Sequence, residues 1–544
     1  MTEPFSTDVI VIGAGFAGLY AVHRAASAGL SVIGIEAAPD VGGTWYWNRY
    51  PGARCDVESV DYSYSFDEAL QQSWTWSERF AAQQEILAYL RHVADRFDLR
   101  RHYRFDVDVV GADFDDDGRW HVHTSGGQAY AAPFLVCATG CLSAVNRPSI
   151  PGVDDFAGDV YFTAAWPREE PDLRGKRVGL IGTGSSGIQA VPIIASQAER
   201  LVVFQRTANY SIPMPNRPWS AEEQQQIRSD YPERRRISAY ASAGTPHGTY
   251  HKKAVETEPR ERVDALWRRW REGGVLFAKT FPDQNSDLAA NDIAREFAEE
   301  RIREIVRDPV VATDLIPVDH PIGAKRICTD AGYYATFNRD NVRLVNLRRE
   351  PIDAITPGGV RTSDATYRCD VLIFATGFDA MTGALTRIDP RGPRGERLRD
   401  IWADGPVTFL GLMVPGLPNL FTVSGPGSPS VLANMVLHAE VQVDWAVELI
   451  LTARRLGVSE VEPRRDAADA WTDHVAKAAE QTLFPKAASS WYLGANIEGK
   501  KRIFMPYAGG FGNYRRHCDT VADQNYAGLV LTTRNKPEQN VTRE

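Results

Sequence analysis

The hydrophobic pattern contains two short apolar runs, each followed by glycines at the same spacing. The first run is 9–12 and the second is 178–181, and both lead into G-x-G-x-x-G. The glycines are Gly13, Gly15 and Gly18 in the first copy and Gly182, Gly184 and Gly187 in the second. This spacing lets a strand turn tightly into a helix whose first backbone N–H groups face a pyrophosphate. The sequence therefore predicts two dinucleotide sites.

The residues at the end of the second strand in each copy distinguish the two sites. Glu36 ends the strand SVIGIE of the first copy, and a carboxylate there accepts hydrogen bonds from both ribose hydroxyls and repels a phosphate. The corresponding position of the second copy holds Gln205, which is followed by Arg206 and Thr207. A guanidinium binds a phosphate through paired donors. The first site is therefore expected to bind FAD or NAD, and the second NADPH rather than NADH.

Two apolar strands that end in the same tripeptide indicate how the two sites are arranged. The segments LVCATG and LIFATG end at Gly140 and Gly377, on either side of the second glycine turn. We interpret them as the points where the chain passes between domains, so that the second domain is inserted in the first. The prediction is an α/β fold with two Rossmann-like domains and a helical insertion. The predicted segments are 1–140 and 378–531 for the first domain, 141–210 and 322–377 for the second, 211–321 for the helical subdomain and 532–544 for a polar tail.

Other segments show the periodicities of single elements. Alternating apolar and polar residues predict an antiparallel β-meander. The alternating segments are 104–114, 119–125 and 128–137. Dense charge with apolar residues at helical spacing predicts helices in 211–320. A helix is also predicted over 430–451, and loop plus strand over 489–519.

Composition and charge exclude several classes of protein. A chain of 544 residues suggests three or so domains, and its net charge of -9 argues against a nucleic-acid platform. The arginine run 234–236 lies in an acidic context and is interpreted as a solvated helix face. No apolar run is long enough to span a membrane, the N-terminus lacks the pattern of a signal peptide, and the six cysteines show no metal-ligand spacing. We expect a cytoplasmic protein without a bound metal and without nucleic-acid or membrane partners.

The stretch 42–56, GGTWYWNRYPGARCD, combines glycines, aromatic residues and charges. It is too irregular for a helix or a strand, so a loop is predicted. Aromatic rings beside charged groups in a loop suit the wall of a cofactor-side pocket better than a plain core.

Two specific motifs resemble those of the type I Baeyer–Villiger monooxygenases, within the phenylacetone and steroid monooxygenase branch. Residues 42–45, 50–52 and Asp56 are similar to the long second motif of that family at every defined position. Residues 377–383, GFDAMTG, resemble its later D-A-x-T-G element. The resemblance covers nearly the whole chain and implies that the first domain binds FAD and the second NADPH.

The fingerprint F-x-G-x-x-x-H-x-x-x-W of the same family is only partly kept. The matching positions are Phe156, Gly158, Trp166 and Pro167. The histidine position holds Phe162, and a phenyl ring neither forms the strong hydrogen bonds of an imidazole nor carries its charge. A role that depends on that histidine, such as ordering the interdomain linker, therefore does not carry over to this chain.

The resemblance implies a reaction that consumes NADPH and dioxygen. NADPH reduces FAD, dioxygen adds to the flavin, and the resulting peroxide attacks a ketone carbonyl to give a Criegee-type intermediate. Migration of an alkyl group to oxygen then yields an ester or lactone. The branch suggests aryl, cyclic or steroid-like ketones, and the oligomeric state stays open, a monomer being compatible with the sequence.

The resemblance also implies roles for single residues. Arg326 matches the active-site arginine, which stays charged at any working pH, and Asp56 matches its carboxylate partner. Lys325 is implied to help hold the 2′-phosphate, and Trp491 to contact the nicotinamide cofactor from a mobile loop. The implied edge of the substrate pocket is Ser430, Val431, Leu432 and Met435, for which packing at a helix start is the alternative. The candidate cofactor-binding residues are Gly13, Gly15, Gly18, Glu36, Gly43, Thr44, Trp45, Tyr50, Asp56, Gly182, Thr183, Gly184, Ser185, Ser186, Gly187, Gln189, Arg206, Thr207, Lys325, Arg326 and Trp491.

Two alternatives remain open at this point. A flavin monooxygenase that oxygenates nitrogen or sulfur shares both glycine turns, although the match over 42–56 argues against it. An uncoupled NADPH oxidase or redox-sensing flavoprotein is compatible with Phe162 at the histidine position. A disulfide reductase is disfavoured because no suitable cysteine pair is present.

Overall fold

The first part of the chain builds the sheet that carries the first glycine turn. The computed structural model describes residues 4–533. The elements up to residue 137 are β1 (Phe5–Ser6), β2 (Val9–Ile12), α1 (Phe16–Ser27), β3 (Val32–Ile35), α2 (Thr44–Trp47), α3 (Glu68–Ser73), α4 (Gln83–Arg96), β4 (Tyr103–Arg104), β5 (Val109–Phe114), β6 (Trp120–Thr124), β7 (Ala129–Ala132) and β8 (Phe134–Cys137). All four residues of β2 are buried, as expected of a strand covered on both faces.

The middle of the chain contains the second dinucleotide unit and several helices. Its elements are β9 (Asp159–Phe162), β10 (Arg177–Ile181), α5 (Ser185–Gln197), β11 (Arg200–Gln205), β12 (Ser211–Pro213), α6 (Ala221–Ser238), α7 (Pro259–Glu272), α8 (Leu288–Ile305), α9 (Pro309–Leu315), β13 (Cys328–Asp330), α10 (Tyr333–Thr336), β14 (Val342–Asn346), β15 (Ile352–Thr356), β16 (Gly359–Thr362), β17 (Thr366–Arg368) and β18 (Val371–Phe374). The helices α6 to α9 lie in the region where charged helices are predicted.

The last part returns to the first domain. Its elements are α11 (Gly383–Ile388), α12 (Leu398–Ile401), β19 (Leu420–Thr422), α13 (Met435–Leu456), β20 (Glu460–Pro463), α14 (Arg465–Glu480), α15 (Phe511–Asp523) and β21 (Leu529–Thr532). Within residues 4–533 no helix combines the length and the apolar character needed to cross a bilayer.

Two five-stranded parallel sheets form the framework of the molecule. One has the strand order β19-β8-β2-β3-β4, and the other has the order β14-β11-β10-β18-β9. Every strand of the second sheet lies in sequence between β8 and β19. The second dinucleotide unit is thus inserted in the first, which confirms the predicted α/β architecture.

The two connections between the sheets run beside each other. Asn146 N donates to Gly377 O at 3.0 Å, Asp379 N to Ala144 O at 2.8 Å, and Met381 N to Cys141 O at 2.9 Å. The two A-T-G tripeptides lie directly before these hydrogen-bonded segments. They therefore mark the crossing points between the sheets, as interpreted from the sequence.

The predicted β-meander is right in its centre and wrong at both ends. Strands β5, β6 and β7 pair antiparallel, and β1 joins β7 in parallel. The third predicted segment divides at Pro133 into β7 and β8, which belong to different sheets. Proline lacks the N–H that a continuous ladder needs. Arg104 belongs to β4, which pairs with β3 in the parallel sheet.

The C-terminal prediction of loop plus strand is wrong, because α15 covers its end. Phe511, Tyr514 and Cys518 are the buried side chains of this helix, and their spacing is helical. The helix predicted over 430–451 begins later, with a 3-10 turn at Ser430–Leu432 before α13. The predicted polar tail lies outside the described residues except for its start, where Thr532 ends β21.

The arginine run 234–236 is not a solvated helix face. Arg234 Nη2 donates to Asp61 Oδ2 at 2.8 Å, and Arg235 Nη2 donates to Ser63 Oγ at 2.8 Å. Only Arg236 stays mainly in solvent, paired with Glu233 on the same helix. The sequence interpretation fails because the partners of Arg234 and Arg235 lie more than a hundred residues away.

Replacing Gly187 with alanine tests the packing of the second glycine turn. The added Cβ would lie 2.3 Å from Gly182 O, so we expect Gly187→Ala to lower the free energy of unfolding by about 1–3 kcal/mol. Denaturant unfolding measures this effect. Gly184→Ala is the matched control, because no atom lies within 4 Å of its added Cβ and only the small cost of alanine at an N-cap, below about 1 kcal/mol, is expected. Equal stability of the two variants would contradict the close approach at Gly187.

Candidate active site

The first glycine turn leaves an open helix N-terminus beside close backbone contacts. Gly13 has φ +109°, and a Cβ on it would lie 2.4 Å from Ala138 O. A Cβ on Gly18 would lie 1.9 Å from Gly13 O, so this position also requires glycine. Gly15 precedes α1 and its helix has no side-chain cap, which leaves backbone N–H groups for a phosphate. The turn therefore fits the pyrophosphate of a dinucleotide.

Glu36 lies next to this turn at the end of β3. Its carboxylate accepts hydrogen bonds from Ala14 N at 2.7 Å and from Ala38 N at 2.8 Å. Burial raises the pKa of the Glu36 carboxyl, although the backbone hydrogen bonds oppose the shift. The two N–H groups fix the carboxylate at the position predicted to bind a ribose.

The second glycine turn repeats this geometry. Gly182 has φ +111°, and a Cβ on it would lie 2.6 Å from Ala375 O. Space is open at Gly184, the N-cap of α5, and again no side chain caps the helix. Thr183 Oγ1 donates to Thr207 O at 2.9 Å, which joins the turn to the end of β11. Ser185 and Ser186 form the first turn of α5.

The residues predicted to bind a 2′-phosphate meet at the carboxyl edge of the second sheet. Arg206 is exposed and has no carboxylate partner among residues 4–533. Lys325 is half-buried and electrostatically coupled to Arg206. Burial lowers the pKa of the Lys325 ammonium; the Asp319 carboxylate opposes the shift, and the Arg206 and Arg348 charges add to it.

The stretch 42–56 lies between the two glycine turns. A Cβ on Gly43 would approach Gly15 Cα to 2.7 Å, so the stretch packs against the first turn. Tyr50 OH donates to Gln189 Oε1 at 2.8 Å, which joins the same stretch to α5 of the second turn. The predicted loop contains one helical turn, α2, which includes Thr44 and the buried Trp45.

Asp56 ends this stretch and forms a two-point ion pair with Arg326. Arg326 Nε donates to Asp56 Oδ2 at 2.8 Å, and Arg326 Nη2 donates to Asp56 Oδ1 at 2.6 Å. Arg326 Nη1 also donates to Val431 O. Burial disfavours the charged guanidinium, but the Asp56 carboxylate outweighs it and raises the pKa of Arg326. The arginine is therefore a fixed positive charge.

Tyr492 is a residue of this site that sequence reasoning missed. It lies in the 3-10 turn Trp491–Leu493, and its ring is 4.5 Å from that of Trp491. Burial raises the pKa of Tyr492 to about 12, while the adjacent Arg326 charge opposes the shift. No local signal in the sequence distinguishes this tyrosine. The segment that carries Trp491 thus reaches Arg326.

A cavity of about 550 Å³ opens from the Asp56–Arg326 pair. Among the described residues, Leu432 is the only one of the four predicted pocket-edge residues in its wall. Ser430 is fully buried, whereas Val431 and Met435 pack in an apolar cluster with Trp491 and Tyr492. These three residues lie outside that wall, so their place at the edge of the substrate pocket stays a prediction.

The cavity wall also contains a second group of charged and titratable side chains. Glu58, Asp61 and His247 offer ligand atoms within 4.8 Å of one another. Arg234 lies 2.8 Å from the Asp61 carboxylate and 3.5 Å from that of Glu58. The guanidinium groups of Arg234 and Arg79 thus balance the charge of the two carboxylates.

Phe162 lies at the end of β9, next to the interdomain connections. Its ring stacks on Phe374 with centroids 5.2 Å apart, and the Arg147 guanidinium lies 5.1 Å from its centroid. Phe374 directly precedes the second A-T-G tripeptide. Stacking and a cation–π contact therefore act at the position where the fingerprint has a histidine.

Known proteins resemble the chain over almost its whole length. A family model described as pyridine nucleotide-disulphide oxidoreductase matches residues 10–258. A Baeyer-Villiger monooxygenase of Pseudooceanicola batsensis is 43% identical over 530 residues, which is 96% of each chain. A structure of oxidised steroid monooxygenase bound to NADP is 53% identical with a TM-score of 0.93, covering 97% of this chain and 100% of that one. The chain belongs to the type I Baeyer–Villiger monooxygenases. The OTEMO complex with FAD and NADP, 40% identical with a TM-score of 0.94, covers the same shares of the two chains.

Membership in this family gives the activity and the cofactors. The protein is an FAD- and NADPH-dependent monooxygenase that converts ketones to esters or lactones. This outcome favours ketone oxygenation over the heteroatom alternative. The match to a disulphide oxidoreductase model covers the dinucleotide-binding part, and all six cysteines are buried and unbonded.

A double-mutant cycle on Asp56 and Arg326 measures how strongly the pair is coupled. Asp56→Ala leaves a partly buried guanidinium without its carboxylate, and Arg326→Ala leaves a partly buried carboxylate without its guanidinium. We expect each single variant to lose stability and the double variant to lose less than their sum, with a coupling of about 0.5–3 kcal/mol. Chemical unfolding of the four proteins gives this value. Strict additivity would show that the two charges do not depend on each other.

Proposed function

We propose that the ketone is oxygenated at the inner end of the 550 Å³ cavity, beside Arg326. The observation that carries this proposal is the two-point Asp56–Arg326 pair in the cavity wall. Asp56 belongs to the stretch that contacts both glycine turns, so the cavity opens where the two cofactor sites meet.

The cofactors are held by the two glycine turns in this proposal. Glu36 and the N-terminus of α1 hold FAD, while α5 with Arg206, Thr207 and Lys325 holds NADPH. The open space at Gly184 and the uncapped helix ends support this assignment. When bound, NADPH supplies the hydride and FAD the activation of dioxygen that oxygen insertion needs.

Arg326 supplies the electrostatic stabilisation. Its guanidinium is held by Asp56 and by the carbonyl of Val431, so it is already oriented before the ketone enters. Negative charge that develops on the reacting oxygen atoms is stabilised by a donor that needs no reorganisation. Asp56 does not react; it orients the guanidinium and offsets part of its burial cost.

The segment with Trp491 and Tyr492 covers Arg326. Both aromatic rings pack in the cluster with Val431 and Met435, which places apolar surface beside the charged pair. Apolar surface excludes water, and the lower local dielectric strengthens the interaction of Arg326 with negative charge.

The cavity is large enough for a bulky ketone. Its volume is in the range of sites that take drug-sized ligands, and Leu432 with Phe80 gives it apolar wall. The similar steroid monooxygenase acts, by its name, on steroids. We propose aryl, cyclic or steroid-like ketones as substrates, with dioxygen as the second substrate. We also propose the segment limits predicted for the two domains, a cytoplasmic location and a monomeric state.

A panel of aryl, cyclic and steroid ketones, with an amine and a sulfide as comparison, tests the activity and the substrate class together. We expect ester or lactone in amounts that match the NADPH consumed, because the Arg326 site is complete. Chromatography of products and an assay for hydrogen peroxide measure both outcomes. Oxidation of the amine or sulfide alone would contradict ketone oxygenation, and peroxide without product from any ketone would indicate an uncoupled oxidase.

Arg326→Ala separates flavin reduction from oxygenation. We expect NADPH to reduce the flavin while ester formation is lost, by at least about 100-fold if the arginine acts as one preorganised donor. Anaerobic stopped-flow absorbance follows reduction, and product analysis follows oxygenation. Arg326→Lys keeps the charge but not the two-point geometry, so it should recover only part of the yield. Normal ester yield from Arg326→Ala would refute the assignment.

Arg206→Gln tests the assignment of the second site to NADPH. Loss of a charged donor to the 2′-phosphate should raise KM for NADPH about 10–100-fold and leave that for NADH unchanged. Steady-state kinetics with both cofactors measures the ratio. Arg200→Gln, at the opposite end of the same strand, is the control and should keep the preference. An equal loss with NADPH and NADH would mean that Arg206 does not bind the phosphate.

A further inference from the structure

Asp319 is the centre of a charged cluster that none of the roles above uses. Its carboxylate accepts hydrogen bonds from His320 Nδ1 at 2.7 Å, Arg348 Nη2 at 2.9 Å and Ser489 Oγ at 2.9 Å. These three donors come from different parts of the chain. One carboxylate thus joins the end of the second sheet to the segment that carries Trp491.

Arg348 belongs to the same edge as the predicted phosphate-binding residues. It lies two residues beyond β14, whose last residue Asn346 is paired with Gln205 at the end of β11. Leu347 N donates to Gln205 O at 2.8 Å, which continues this pairing. Arg206 follows Gln205 directly, so the two arginines start from adjacent positions at the edge of the sheet.

The cluster has a surplus of positive charge. Arg206, Lys325 and Arg348 are three cations, and Lys325 is electrostatically coupled to both arginines and to Asp319. Asp319 is the only carboxylate that the described residues place against this group. A phosphate monoester carries a charge of about -1.5 to -2 at neutral pH, which matches the surplus.

The contact of Asp319 with Ser489 extends the cluster to the active site. Ser489 lies two residues before Trp491 and three before Tyr492, the residue beside Arg326. The following Ser490 is fully buried and accepts a hydrogen bond from Tyr492 N at 3.2 Å. The backbone between Ser489 and Tyr492 is therefore held at both ends.

We propose that Asp319 is a positioning residue that fastens segment 487–494 to the 2′-phosphate subsite, with Arg348 as the third cation of that subsite. A cofactor with a 2′-phosphate then holds the segment over Arg326, whereas one without it does not. The inference rests on the proposed binding of NADPH at the second glycine turn. It adds Arg348 and Asp319 to the determinants of cofactor choice.

The probe is 2′,5′-ADP, compared with 5′-AMP, on the FAD-loaded enzyme. The probe carries the 2′-phosphate but no nicotinamide, so any effect on segment 487–494 comes from the phosphate subsite. Calorimetry measures binding, and amide hydrogen exchange measures protection of the segment. We expect 2′,5′-ADP to slow exchange of residues 487–494 by about tenfold, and 5′-AMP to leave it unchanged.

Two variants test phosphate binding by Arg348 and the Asp319–Ser489 contact separately. Arg348→Gln should weaken binding of 2′,5′-ADP by about tenfold or more and leave 5′-AMP binding unchanged. Ser489→Ala should bind 2′,5′-ADP as tightly as the parent protein and lose the added protection. With NADPH and a ketone, the same Ser489→Ala protein should release a larger share of oxygen as hydrogen peroxide, because the segment no longer stays over Arg326.

Arg349→Gln is the matched control. Arg349 is the next residue, at the same sheet edge, but it pairs with Asp314 instead of Asp319. Both probes and the exchange of 487–494 should be unaffected in this variant. Similar loss of 2′,5′-ADP binding in Arg348→Gln and Arg349→Gln would overturn the role of Arg348.

Different results would contradict the NADPH assignment and the role of Asp319. If the parent protein binds 2′,5′-ADP no better than 5′-AMP, the assignment of the second turn to NADPH is wrong. If it binds the probe with preference but segment 487–494 exchanges as before, or if Ser489→Ala keeps the protection, the fastening through Asp319 is wrong.

Discussion

The partly buried ion pair between Asp56 and Arg326 is the interaction on which the site depends. Removing two charges from water costs more than a simple surface pair returns, so such a pair contributes little to stability as a whole. Its geometry is nevertheless restrictive, because two parallel hydrogen bonds fix the plane of the guanidinium. The pair joins residues 270 positions apart in sequence, and the cavity lies directly beside it.

Local spacing in the sequence was sufficient to predict the two glycine turns at their strand–helix junctions. The glycine turns depend on backbone conformation and on close approach within a few residues, as at Gly13 and Gly182, and both effects leave a readable pattern. Glu36 and Arg206 could be predicted because each follows its strand at a fixed distance. The inserted order of the domains followed from two strand ends that share a tripeptide.

The rest depended on partners that the sequence does not reveal. Pro133 divides one apparent strand between two sheets, and the aromatic and glycine content before α15 hid its helical spacing. Arg234 resembled a surface charge because its partner Asp61 lies far away in the chain. Tyr492 reaches Arg326 and Arg348 reaches Asp319 through tertiary contacts alone, so no periodicity could have indicated them.

The two interdomain connections are hydrogen-bonded to each other at Asn146, Ala144 and Cys141. A domain inserted through two independent linkers could twist and tilt in several directions. Here the paired connections form a short two-stranded ribbon, which bends readily out of its plane and resists shear within it. The paired connections therefore restrict shear between the inserted domain and the first more than two independent linkers would. Phe162 and Arg147 pack at the base of this ribbon, where a rigid ring contact takes the place of a titratable one.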